Sequence, residues 1–169
     1  FLGKGVTYDT GGLSLKPTQF MMGMKADMGG AASVLGLMDA VSRLQIKKNI
    51  LVVVPTTENA IDGKSYKVGD VYTGYSGKTV EIDNTDAEGR LILADALAYT
   101  VKKYQPTFMV DLATLTGAIV VALGEDYSGL FSDNEPLRAR LLDASTKVNE
   151  SFWPMPLHKD YLKLLKSDF

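Results

Sequence analysis

The chain has 169 residues, 46% hydrophobic and 22% charged, which is the composition of a globular domain and not of a disordered segment. Its 18 Lys and Arg against 20 Asp and Glu leave a net charge of −2, so nothing in bulk draws it to nucleic acid or acidic membranes. It has no cysteine and a single histidine, His158, which excludes disulfides, thiolate sites, cysteine nucleophiles and two-histidine metal sites. A metal in this chain must be held by carboxylates.

Residues 1–8 read as a short strand. They begin with neither an initiator Met nor a basic region ahead of an apolar stretch, so they are not a signal peptide. Residues 10–28 are glycine-rich and irregular, punctuated by Gly11-Gly12 and Pro17. A helix is expected over 30–44, with Val34, Leu37, Met38, Val41 and Leu44 on one face. The β-branched run 50–54, ended by Pro55, suits a strand buried on both faces. Residues 56–70 read as polar loop, and 71–82 as a hairpin turning at Tyr75-Ser76-Gly77-Lys78. The clearest helix is 91–104, with Lys102-Lys103 in its last turn and Pro106 beyond. Another buried strand is expected over 107–112. The apolar stretch 108–123 is too interrupted, by Asp111 and Thr114-Leu115-Thr116-Gly117, to span a bilayer. Asn134-Glu135-Pro136 starts a helix running to about Val148. Trp153-Pro154-Met155-Pro156 reads as a rigid loop and 157–166 as a last amphipathic helix. The alternation predicts an α/β fold, a largely parallel mixed sheet flanked by helices. Both ends read as cut from a longer chain. In such sheets ligands sit at the carboxyl ends of the strands, so the polar segments after strands are where chemistry is sought.

Three such segments carry acids or lysine. Lys4 sits in a strand between Gly3 and Gly5, with Asp9, Gly11-Gly12 and Lys16 following. Asp27 precedes Gly29-Gly30 at a helix start. Asp83, Asp86 and Glu88 fall within six residues before the helix of 91–104, followed by Gly89-Arg90. Acids at a helix start also serve as caps and dipole partners, and the glycine pairs also serve as plain turns. Lys4 reads either as a snorkelling edge lysine or as a lysine facing carboxylates. Two carboxylates at the spacing of Asp86 and Glu88 repel unless a cation lies between them. Arg90 could neutralise one, while a divalent metal would hold both. Gly3-Lys4-Gly5 lacks the third glycine of a dinucleotide fingerprint, and no P-loop occurs.

The string Asn84-Thr85-Asp86-Ala87-Glu88-Gly89-Arg90-Leu91 resembles the signature of the leucyl aminopeptidase family, the M17-type dizinc peptidases. Gly3 to Ser14 with Lys16-Pro17, Met24 to Ala32, and Leu112 to Ala118 resemble three further blocks of that family, in the same order and with matching separations. The resemblance covers almost the whole chain. It implies part of one metallopeptidase catalytic domain, residues 1–169, lacking the family's separate N-terminal domain and the end of the catalytic domain.

The resemblance also implies roles. Lys4, Asp9, Asp27 and Glu88 would hold the tighter of two divalent ions. Asp9, Asp86 and Glu88 would hold the more exchangeable one, with Asp9 and Glu88 bridging. Lys16 and Arg90 would be catalytic and not ligands, with a bicarbonate near Arg90. Met24, Thr114 and Leu115 match positions lining the pocket for the first side chain. Met24 and Leu115 read equally as core, since apolar pockets and cores use the same residues. The implied activity is removal of N-terminal residues, leucine and other apolar ones preferred, from peptides. The implied enzyme is cytoplasmic and homohexameric, with no membrane partner and no nucleic-acid partner for this segment. Oxygen ligands with one nitrogen suit Zn²⁺ or Mn²⁺, with Mg²⁺ also compatible. A lysine can ligate only when neutral, whereas Lys16 would act as a protonated cation on the developing oxyanion. A free α-amine taken by one ion would explain cleavage at the N-terminus alone. Rival readings are a binding module that keeps the fold without turnover, and a dimetal phosphoesterase, which would need histidines the chain lacks. His158 and Trp153 read as surface and packing residues.

Overall fold

The computed structural model describes residues 1–169 as two compact units, Phe1–Leu115 with Phe169, and Thr116–Asp168. In the first unit the elements are β1 (Leu2–Gly3), β2 (Gly5–Asp9), α1 (Thr18–Met21), α2 (Gly29–Arg43), β3 (Thr56–Asn59), β4 (Val71–Thr73), β5 (Thr79–Glu81), α3 (Glu88–Tyr104) and β6 (Asp111–Leu112). Short 3₁₀ turns lie at Met24–Ala26 and Thr85–Ala87.

β1 and β2 are the central line of this unit. On one side β1 pairs in parallel with β6, Leu2 opposite Asp111 and Gly3 opposite Leu112. On the other side Gly3 N–H donates to the Val53 carbonyl and Gly5 N–H to that of Pro55, and β2 then continues parallel to β3. Flanked on both edges, this line supplies three of the largest fully buried side chains, Leu2, Lys4 and Val6. Ala31 and Val34 of α2 cover it. Leu93, Ala96 and Thr100, spaced three and four apart, form the buried face of α3. Every pairing in the unit is parallel except the β4–β5 hairpin.

The second unit contains α4 (Gly117–Leu123), β7 (Ser128–Phe131), α5 (Glu135–Val148), β8 (Phe152–Met155) and a 3₁₀ segment Lys159–Leu165. β7 and β8 run parallel, and Asn134 caps α5 by accepting from Leu137 N–H. No helix of either unit is long and apolar enough to cross a membrane.

The expected α/β class holds, with short parallel pairs in place of one continuous sheet. Four local expectations are corrected. The buried strand expected over 107–112 is regular only at Asp111–Leu112 and none of its residues is buried, since β6 pairs with β1 alone. Residues 50–54 are half-buried and extended beside β1, with a single bridge at Val53, and the regular strand begins only after Pro55, inside the stretch read as loop. Pro55 gives a carbonyl to Gly5 but has no N–H to return, which interrupts the ladder there. The tryptophan–proline segment is strand β8, since proline is tolerated on a strand with an unpaired edge. The amphipathic run 157–166 forms a 3₁₀ segment whose Leu162, Leu164 and Leu165 are exposed, so no packing surface enforces the 3.6-residue period.

The approach of α2 to β1 depends on glycine. A Cβ on Gly30 would lie 2.0 Å from the Leu112 carbonyl oxygen and 2.8 Å from Lys4 N, both backbone atoms that cannot give way. Gly36 on the same helix has open space around it. Gly30→Ala should therefore destabilise the intact protein by at least about 1–3 kcal/mol. Gly36→Ala should be neutral or stabilise by up to about 1 kcal/mol. Urea midpoints of the two variants check the contrast.

Candidate metal centre

The site forms where β2 and β3 end. β2 carries an irregularity between Val6 and Asp9, so that Asp9 comes to stand opposite Asn59, the last residue of β3. Bulges of this kind re-aim a side chain at the end of a ladder. Past Asp9 the chain turns through Gly11 at φ +87° and Gly12 at φ +62°, backbone that residues with a Cβ rarely adopt. Gly11 N–H donates to Asp9 Oδ1 at 2.9 Å, and Lys16 N–H donates back to the Thr10 carbonyl at 2.9 Å. The turn thereby returns Lys16 toward Asp9.

The signature string enters from the other side as a 3₁₀ turn running into α3. Asn84 caps it by accepting from Asp86 N–H at 2.8 Å. Thr85, fully buried, ties the string to the first loop. Its hydroxyl donates to the Gly11 carbonyl at 2.6 Å and accepts from Ser14 N–H at 2.7 Å, while Thr85 N–H donates to Ser14 Oγ at 3.1 Å. Asp27 follows the 3₁₀ turn Met24–Ala26, its carbonyl held by Val6 N–H at 3.2 Å.

These loops converge. Carboxylate oxygens of Asp9, Asp86 and Glu88 lie within 4.8 Å of one another. The Lys4 ammonium, 2% exposed, lies 2.8 Å from Asp27 Oδ2 and 3.0 Å from Glu88 Oε1, and donates to the Thr114 carbonyl at 2.9 Å. Lys16 Nζ lies 3.1 Å from Asp9 Oδ2 and 2.5 Å from Asp86 Oδ1. Burial works to lower the Lys16 pKa, but its contacts with Asp86 and Asp9 outweigh that and raise it above the ordinary lysine value. Lys16 is therefore held as a cation. Tyr66 donates to the Thr85 carbonyl at 2.6 Å. Burial, helped by the fields of Glu88, Asp9 and Asp86, pushes its hydroxyl up to about 12, so it remains a donor.

The donor set fits divalent cations. Four carboxylates face two ammonium groups, which leaves two negative charges uncompensated in a largely buried place. Burying charge without compensation is costly, and a cation removes the cost. Two buried oxygens, Asp27 Oδ2 and Asp86 Oδ1, have no hydrogen-bond donor, only a lysine at ion-pair distance. Hard oxygen donors with one amine suit Zn²⁺, Mn²⁺ or Mg²⁺.

Of the seven residues singled out for metal binding and catalysis, six are brought together. Arg90 is not among them: it is exposed, with neither a hydrogen bond nor an ion pair. Glu88 and Arg90 are two residues apart on α3, about 200° around the helix, so they point to different faces. Thr114 lies at the site, but its hydroxyl is engaged with Asp27 Oδ1 at 2.6 Å. Leu115 packs beside Gly89, and Met24 is half-buried in its 3₁₀ turn. Sequence reasoning gave no role to Thr85 or Tyr66 and overlooked Asn59, whose amide touches two of the site's carboxylates. The signal for Asn59 was its place at the carboxyl end of a strand, hidden because that strand was read as loop.

The model of the cytosol aminopeptidase family, catalytic domain, matches residues 1–169. Two curated relatives, each named probable cytosol aminopeptidase, are 56% identical over 167 residues in Chlamydia abortus and 53% identical over 168 residues in Fusobacterium nucleatum. Each match covers 99% of this chain, and 33% and 35% of the respective relative. The solved cytosol aminopeptidase from Coxiella burnetii superposes with a TM-score of 0.91 at 45% identity, over 99% of this chain and 36% of that one. The bottromycin maturation enzyme BotP, in complex with Mn, superposes with a TM-score of 0.86 at 42% identity, over 99% of this chain and 37% of that one. The chain spans about a third of the length of the relatives it matches. With this agreement of sequence and fold along its whole length, the chain belongs to the cytosol aminopeptidase family.

Proposed function

We propose that this chain is the metal-binding part of an aminopeptidase that removes N-terminal residues, leucine and other apolar ones preferred, from peptides. The observation that carries the reading is the convergence of Asp9, Asp27, Asp86 and Glu88 on two buried or half-buried lysines. In this reading Lys4, Asp9, Asp27 and Glu88 hold one divalent ion, and Asp9, Asp86 and Glu88 hold a second, with Asp9 and Glu88 shared. When bound, two such ions supply Lewis acidity toward the scissile carbonyl and toward the attacking water. A manganese complex of a related fold supports a donor set of this kind, with zinc the alternative and magnesium compatible.

The chain's own residues supply the rest. Lys16 stays charged beside Asp9 and Asp86 and offers its ammonium to the oxyanion that develops on the substrate carbonyl. Lys4 stays enclosed and serves the metals, not the substrate. Arg90, exposed and without an ion pair, is assigned from the family resemblance to hold a small anion such as bicarbonate and help move protons. Met24, Thr114 and Leu115 border the place of the substrate's first side chain, Thr114 while orienting Asp27. The chain belongs in this reading to one catalytic domain, residues 1–169 forming part of it, in a homohexameric cytoplasmic enzyme. Its partners are peptides, with no membrane and no nucleic acid for this segment.

Three experiments on the intact protein test this. Asp9→Ala and Glu88→Ala each remove a shared ligand, so elemental analysis should find both metals lost or greatly depleted. Retention of two tightly held ions in either variant contradicts the ligand set. The two lysines should then part company. Lys16→Ala should keep both metals and nearly keep KM, with kcat falling by about 10²–10³, as for removal of an oxyanion donor. Lys4→Ala should lose one metal first. Arg at position 16 should recover part of the rate, because only a cation is needed. Arg at position 4 should not, because it cannot deprotonate to ligate. Loss of metal from Lys16→Ala but not from Lys4→Ala reverses the assigned roles. Hydrolysis of leucine anilide with added Zn²⁺ or Mn²⁺, and not of a phosphate ester, separates the peptidase from its rivals.

A further inference from the structure

We infer that Asn59 is a positioning residue that sets the orientation of Asp9 and Glu88, the two carboxylates assigned above as shared ligands; the inference rests on that assignment. Asn59 is buried at the end of β3, and the irregularity in β2 is what brings Asp9 opposite it. Its Nδ2 lies 2.9 Å from Asp9 Oδ1, 3.3 Å from Glu88 Oε2 and 3.0 Å from the Thr85 carbonyl. All three neighbours are acceptors. An amide oxygen turned toward them would be repelled, so the chemistry of the surroundings fixes which end of the amide faces the site. The backbone has no freedom either, because the Asn59 carbonyl accepts from both Thr10 N–H and Thr10 Oγ1 at 2.9 Å. The amide oxygen sits against Gly12, where a Cβ would come within 3.0 Å of it.

The contacts divide each carboxylate in two. Asn59 takes Asp9 Oδ1 and Glu88 Oε2. The other oxygens, Asp9 Oδ2 and Glu88 Oε1, are those that face Lys16 and Lys4. One neutral amide thus holds the far oxygen of both carboxylates and leaves the near oxygen of each for a cation. Neutrality matters. An ammonium in the same place would hold the two acids equally well, but would compete with metal for their charge. Outer partners of this kind fix the orientation of ligands, and their loss typically weakens metal binding or activity by about 10–100-fold.

The test uses the intact protein, with Asn59→Leu, close to asparagine in shape but without a donor, and Asn59→Ala. Affinity for Mn²⁺ and Zn²⁺ is measured by chelator competition, the melting temperature is measured metal-free, and kcat and KM are measured at low and at saturating metal. The expected result is a metal affinity about 10–100-fold weaker in both variants. At least the leucine variant should keep a metal-free melting temperature near wild type. KM should be nearly unchanged, and part of the lost kcat should return as metal is raised. Wild-type affinity in Asn59→Leu overturns the inference. So does collapse of the metal-free fold in both variants, which assigns Asn59 to the scaffold alone. A wild-type protein that binds no metal removes the ligand assignment itself, an outcome distinct from either.

Discussion

Negative charge in a confined place governs this structure. Asp9, Asp27, Asp86 and Glu88 come from three separate segments, the end of β2, the approach to α2 and the start of α3, to within ion-pair distance of two lysines. In water such acids would stay apart. Inside a protein their repulsion grows as the effective dielectric falls, and so does their attraction for any cation among them. The arrangement persists because each acid is held by something other than the cations. Gly11 N–H and Asn59 hold Asp9, Thr114 holds Asp27, Asn59 also holds Glu88, and the Asn84 cap fixes the backbone of Asp86.

The scaffold makes that density possible by removing bulk. Gly30 lets the start of α2 touch the backbone of β1 and β6, which carries Asp27 toward Lys4. Gly89 does the same for α3: a Cβ there would lie 2.6 Å from Lys4 Cε, so the glycine beside Glu88 is the space the lysine side chain occupies. The Thr85 hydroxyl, shut away from solvent and bonded on both its donor and acceptor sides, locks the glycine turn to the signature string. Leaving those partners unpaired would cost about 1–3 kcal/mol each. A glycine turn, two close approaches made possible by glycine and one buried hydroxyl therefore position the acids before any substrate arrives.

Part of this was legible in the sequence. The four acids and two lysines sit in strings that resemble the family's blocks, although taken alone those residues read as readily as helix caps, plain turns and an edge lysine. Helices α2, α3 and α5 were legible from period and caps, and the β4–β5 hairpin from its turn. What was not legible depended on partners distant in the chain. Pro55 ended the visible β-branched run, but the hydrogen-bonded ladder resumed after it, so the strand that bears Asn59 looked like loop. The periodicity of 157–166 predicts a helix, yet period alone does not hold an α-helix whose apolar side chains stay exposed.

The central claim is that this cluster is built around two divalent ions. The most direct measurement is anomalous diffraction from crystals of the intact protein grown with Mn²⁺. The account predicts two anomalous peaks per chain, both in contact with Asp9 and Glu88, one also contacting Lys4 and Asp27 and the other Asp86. The absence of peaks in the cluster, or a single peak that leaves Lys4 still paired with Asp27 and Glu88, would contradict it.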